Sequence, residues 1–254
     1  RRLVRRDYNS GEPNPKLARA TLLSTIGAPE GGAGPTAFNN PSALAADYEG
    51  NLLIADTGNH RVVKLDAAGG FLWSVGGTAD DGTPNWGTAQ GEFNSPQAVC
   101  TDRDNNVYVA DTRNNRVQKL SPSGDFLTMF GAWGSEPGQF GGDGPLGVAV
   151  DDRGFVLVTD SHTATGGNHR VQRFDSDGDF VGQFGSHGTG PGQFGGALPI
   201  REYGYDFGPG IGPGPIGPAG IAVNTNEDLL LERNNRYGDI FVADCDNDRV
   251  HMFQ

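Results

Sequence analysis

Four aspartates, Asp56, Asp111, Asp160 and Asp244, each stand a short way before an arginine. Arg61, Arg116 and Arg249 follow by five residues and Arg170 by ten. A carboxylate and a guanidinium held this close make charge-assisted hydrogen bonds, so the pairs are expected to brace a loop rather than to react. A second set, Asp47, Asp102, Asp151 and Asn224, could converge on an axis, and three carboxylates with an amide suit Ca²⁺, which takes oxygen ligands. The competing reading is local. Asp and Asn open DxxG-type turns by accepting from their own backbone. That reading takes precedence, so no cofactor is expected, with Ca²⁺ at this ring as the alternative. The runs DSDGD at 175–179 and DCDND at 244–248 resemble the start of a calcium loop but lack its Gly and closing Glu at the required offsets. No nucleophile elbow and no Ser/His/Asp pattern is present, so no catalytic residue is assigned.

The elements that must carry these residues follow from a repeat. Pro41, Pro96, Pro145 and Pro218 anchor it; the motif aspartate lies 15 residues on in the first three units and 26 in the last. Gly76, Gly131 and Gly185 each follow the motif arginine by 15. Each unit divides into short β-branched or aromatic runs bounded by Gly, Asn or Asp, the strand signal. The first strand of every unit alternates a small residue (Ala43, Ala98, Gly147, Gly220; Ala45, Cys100, Ala149, Ala222) with a larger one (Leu44, Val99, Val148, Ile221). One small face suits an inner strand near a crowded axis. Cys100 then fills an alanine slot as a buried, inert thiol, while Cys245 falls in a loop.

The units span about 41–77, 96–131, 145–185 and 218–254, and the last stops after its third strand. Residues 20–27, ATLLSTIG, read as the missing outer strand: Gly27 precedes Pro41 by 14 residues, as Gly131 precedes Pro145. The fold class is therefore all-β, a propeller of four-stranded antiparallel blades whose N-terminal strand completes the last blade, in the same chain or in another copy. Residues 1–19 form a separate basic segment, extended or solvated.

Composition narrows the partners. The net charge is −12; residues 1–19 carry +4, which leaves −16 on the rest of the chain. So acidic a body repels phosphates and argues against nucleic acid. No apolar run is long enough to span a bilayer. Few lysines and much Gly, Asn, Asp and Thr suit an extracellular or periplasmic protein. The start at Arg1 suggests processing or a fragment.

The stretches ADTGNHRV (55–62), ADTRNNRV (110–117), TDSHTATGGNHRV (159–171) and ADCDNDRV (243–250), with P-x-[AG]-[LVI] before and G-x-F-L-x-x-x-G after, resemble the NHL repeat. The resemblance covers about residues 38–254 plus 20–27 and implies a β-propeller. Members usually have six blades; four are visible here. Some similar propellers are lyases or lactonases, and the lyases would need inner-strand histidines, which are absent from SAL, QAV, LGV and AGI.

Binding is the better-supported activity. The long linkers 77–95, 132–144 and 186–217 open on one face with the second-to-third-strand loops and carry Trp86, Trp133, Tyr203 and Tyr205. Aromatics on loops over a rigid scaffold are typical binding groups, although they could instead cover their own blades. The expected function is a non-catalytic binding or assembly scaffold for protein or glycan, with possible self-assembly by strand exchange. The alternative is a divalent-metal-dependent lyase or lactone-type hydrolase.

Overall fold

The computed structural model describes residues 25–27, 31–78, 84–142, 144–161, 168–195, 218–224, 238–247 and 249–253. The expected site residues Tyr203 and Tyr205 lie outside these, as do the basic segment 1–19 and residues 20–24 of the N-terminal strand.

Four antiparallel sheets stand in a ring as the blades of a β-propeller. The first blade is β1 (Ala43–Ala46), β2 (Leu52–Asp56), β3 (Arg61–Leu65) and β4 (Phe71–Thr78), with a short fifth strand, β5 (Pro84–Asn85), on its outer edge. The sequence reading treats 77–95 as a loop; β5 forms because an edge position tolerates a proline that cannot donate to a ladder. The second blade is β6 (Ala98–Thr101), β7 (Val107–Asp111), β8 (Arg116–Leu120) and β9 (Phe126–Phe130). The third is β10 (Pro145–Val150), β11 (Val156–Asp160), β12 (Arg170–Phe174) and β13 (Phe180–Phe184). The fourth has three strands among the described residues: β14 (Pro218–Val223), β15 (Ile240–Asp244) and β16 (Arg249–Phe253).

The core is not one cluster but a series of joints between blades. Leu53, Ala55 and Val62, on the leading face of the first blade, pack with Val99, Val107 and Val109, on the trailing face of the second. Tyr108, Ala110 and Val117 repeat this against Val148, Val156 and Val158. Leu157 and Val171 repeat it against Val242. The second strands of the first three blades bury both faces, which is why they read as unbroken apolar runs. At the axis β1 packs on β6, β6 on β10 and β10 on β14.

The hairpins between third and fourth strands show how the joints are held. Gly69, Gly124 and Gly178 sit at φ of +89°, +92° and +95°, a region open to glycine. A Cβ on Gly124 would stand 3.0 Å from Val75, and one on Gly178 would stand 2.5 Å from Phe130, both on the outer strand of the preceding blade. A Cβ on Gly69 would stand 2.6 Å from Ile26. Ile26 therefore takes the place of an outer-strand residue before the first blade, in the register its spacing predicts.

Candidate functional site

The motif aspartates and arginines build the same knot four times. Asp111 accepts from Arg116 Nε at 2.7 Å, from Asn114 Nδ2 at 2.9 Å and from the Asn94 amide at 2.7 Å. The rest of the guanidinium reaches back into the linker that enters the blade. Arg116 Nη1 donates to the Thr88 carbonyl at 2.7 Å, and Nη2 donates to those of Ala89 and Glu92, both at 2.9 Å. Arg61 does the same to Ala33, Gly34 and Ala37, Arg170 to Ser135, Glu136 and Gln139, and Arg249 to Thr189, Gly190 and Gln193. The arginine fork thus clamps each linker by three carbonyls while its Nε is held by a wholly buried aspartate.

The environments of these aspartates differ. Burial pushes the carboxyls of Asp111 and Asp160 above the ordinary value in spite of their donors. Burial also pushes Asp244 upward, but hydrogen bonds from Gly195, Asn247 and Arg249 outweigh it and hold the group below 3.8. The fourth knot is the more open: the Arg249 side chain is 30% exposed, against 9% for Arg116 and 6% for Arg170.

Asp47, Asp102 and Asp151 each belong to their own turn. Oδ1 of Asp47 accepts the amides of Glu49 and Asn51, that of Asp102 those of Asp104 and Asn106, and that of Asp151 those of Arg153 and Phe155. The second oxygens face Lys64 at 2.9 Å, Tyr108 at 3.3 Å and Arg173 at 3.5 Å. Asn224 closes its turn through its backbone, with its amide on the Asp239 carbonyl. Among the described residues no three His, Cys, Asp or Glu side chains stand close enough to hold one metal ion. Between the inner strands lies a cavity of ≈ 410 Å³ whose wall includes Ala45, Val99, Cys100, Val148 and Ala149. Cys100 is half-buried there rather than buried, because the axis keeps this space open; burial and the charge of Asp102 push its thiol far up, so it stays protonated.

The linkers themselves repeat, a pattern that the strand-based reading missed. Gly32, Gly87, Gly134 and Gly188 each precede a phenylalanine by six residues: Phe38, Phe93, Phe140 and Phe194. The last three of these rings are fully buried in the joints. The four glycine carbonyls accept from Asn59, Asn114, Asn168 and Asn247 of the knots. Glu92, Gln139 and Gln193 turn back to accept the amides of Ala89, Glu136 and Gly190. The residue before each of the last three glycines is Trp86, Trp133 and His187. Trp86 is 57% exposed and Trp133 73%, and His187 is exposed with its ring edge-on to His169 at 4.5 Å. The two tryptophans thus occupy one repeat position on successive clamped loops, with His187 next in the row. By contrast Trp73 lies on β4 and donates to the Pro122 carbonyl at 3.0 Å, across to the second blade.

The model of the NHL repeat matches residues 38–65, 93–120 and 143–174. NHL repeat-containing protein 3 of Mus musculus is 33% identical over 141 residues, 54% of this chain and 37% of that protein. Peptidyl-glycine alpha-amidating monooxygenase A of Xenopus laevis is 32% identical over 160 residues, 59% of this chain and 16% of that protein. The chain therefore spans well under half the length of these curated relatives. A solved structure of a protein of unknown function from Bacteroides thetaiotaomicron superposes with a TM-score of 0.50 at 15% identity, over 84% of this chain and 46% of that one. It shares the fold alone.

Proposed function

We propose that this propeller, three of whose four blades match the NHL repeat, is a non-catalytic scaffold that binds a protein segment through Trp86, Trp133 and His187. One observation carries this reading: two tryptophans 57% and 73% exposed stand on loops whose backbones buried arginines hold still. Rigid loops spare the ordering cost of binding, and exposed indoles supply contact area. The net charge of −12 favours a partner segment rich in Lys and Arg, whose cations also stack on indole faces. Protein is preferred over glycan as the ligand for this reason. Few lysines and much Gly, Asn, Asp and Thr support an extracellular or periplasmic setting for the encounter. A lyase or lactone-type hydrolase would draw on Asp47, Asp102 and Asp151, and the turns that engage these carboxylates support the scaffold reading instead.

Panning a displayed peptide library on the intact chain tests it. Enriched peptides should be basic with an apolar anchor, and Trp133→Ala should weaken them strongly without lowering the thermal midpoint. Peptides indifferent to both tryptophans would sink the proposal.

A further inference from the structure

The linker that carries Trp86 is tied to both of the blades it joins. Just before the indole, Pro84 and Asn85 of β5 pair with Thr78 and Gly77 of the first blade. Just after it, the Gly87 carbonyl accepts from Asn114 Nδ2 at 2.8 Å, and Arg116 clamps Thr88, Ala89 and Glu92 to the second blade. The pose of Trp86 therefore depends on how the first blade meets the second. At the far end of the same linker a side chain of the first blade reaches across that joint. His60, in the loop between β2 and β3, accepts the Ser95 amide on its Nδ1 at 3.0 Å. Ser95 is buried at φ +52° ahead of Pro96, a conformation that its own Cβ and the following proline both disfavour, and His60 holds it there.

An imidazole that accepts on Nδ1 is neutral, with its one proton on Nε2. A second proton would go to Nδ1 itself and face the Ser95 N–H, turning the bond into a repulsion. We propose that His60 is a positioning residue for the Trp86 linker, an acid-sensitive latch that releases Ser95 and loosens the joint between the first and second blades when it takes up a proton. The surroundings of the ring favour the latched form. Half-burial disfavours the cation and Arg113, on the second blade's turn (Thr112–Asn114), repels it, so the ring takes up a proton less readily than an ordinary histidine. Asp56, on the ring's own loop, is already paired with Arg61 at 2.7 Å, and Glu92, on the linker, is turned to the Ala89 amide at 2.9 Å. The latch is therefore whole above pH 6.5 and opens as pH falls through the lower folded value. The consequence for a partner rests on the binding row proposed above; the release of Ser95 does not.

Amide exchange of Ser95, read by NMR on the intact chain and corrected for the intrinsic effect of pH, tests the latch. Its protection should fall about tenfold between about pH 7.5 and pH 5, the worth of one hydrogen bond, with the midpoint at which the His60 ring titrates. His60→Asn puts an amide oxygen where Nδ1 stands and has no proton to gain; Asn115 holds the same place in the second blade at φ +53°. Protection should then persist at both pH values. His60→Gly, which keeps φ +54° without strain but offers no acceptor, should lack it at both. A histidine-free peptide of Lys, Arg and apolar residues, selected on the intact chain at neutral pH, should bind about fivefold more weakly in acid, and His60→Asn should remove that loss although His169 and His187 remain. Unchanged Ser95 protection while the His60 ring titrates overturns the proposal. So does a loss of protection that survives in His60→Asn. A peptide affinity that falls equally in both proteins overturns the coupling to Trp86. Should no peptide bind at all, the binding row fails alone, and Ser95 exchange still decides the latch.

Discussion

At the residue scale the aspartate–arginine pair works as a fastener whose strength depends on how deeply it is buried. Removing one partner of a buried pair leaves the other charge without compensation and costs about 3–5 kcal/mol. Arg116 is of this kind, since it holds Asp111 and three linker carbonyls at once. Arg116→Ala should therefore lower the unfolding free energy by about that amount in denaturant titration, with Arg116→Lys little better because an ammonium cannot span the same fork. Arg249, 30% exposed, should cost less than half as much on replacement by Ala. The aspartates also set a dependence on pH. Asp47 and Asp244 are held below 3.8, Asp47 by Asn51 and Lys64 outweighing its burial, so their stabilisation is present above that value and lost as pH falls through their lower folded values. Asp111 and Asp160 are raised, and their contribution runs the other way: full below 3.8 and lost as pH rises through the folded value. Hydrogen exchange near pH 3 should thus show β15 and β16 losing protection before β7 and β8; simultaneous loss would contradict the assignment.

At the scale of elements the clamped linker is the unit that joins one blade to the next. In the last three linkers the phenylalanine fills the joint, the glycine carbonyl meets the knot, and the residue before that glycine is offered to solvent. Phe140→Ala should cost about 3–5 kcal/mol through the cavity it leaves. Trp133→Ala on the same loop should leave stability within about 0.5 kcal/mol, as exposed positions usually do. Its effect on partner affinity should instead be thirtyfold or more if the indole is a binding hot spot, about 2 kcal/mol. The pair separates a structural aromatic from a binding one within eight residues of chain. The hairpin glycines make a sharper test of the joints. Gly178→Ala must strain a backbone at φ +95° and press a methyl group 2.5 Å from Phe130, so unfolding should come easier by about 1–3 kcal/mol.

For the whole molecule the decisive feature is the run of joints between successive blades, each built from one face of a blade and the facing side of the next. A basic partner peptide that binds only the folded chain should raise its melting temperature with peptide concentration, because such a partner stabilises it by mass action, and the rise should shrink in Trp133→Ala. How much of this could be read from residues alone follows from sequence separation. The strands, the turns closed by Asp47, Asp102 and Asp151, and the pairing of Asp56 with Arg61 all join residues a few positions apart, so spacing determined them. The calcium reading of those aspartates stayed open in the sequence because spacing cannot say whether turns converge. The tertiary structure gives each carboxylate to its own turn and a different neighbour, Lys64, Tyr108 or Arg173. Packing also decided which carbonyls Arg116 takes, 24 to 28 residues back. It decided that Trp73 is tied across a joint while Trp133 faces solvent. Whether four blades meet depends on the rotation at each joint, a sum over many side-chain contacts between distant segments, and no local pattern carries that angle.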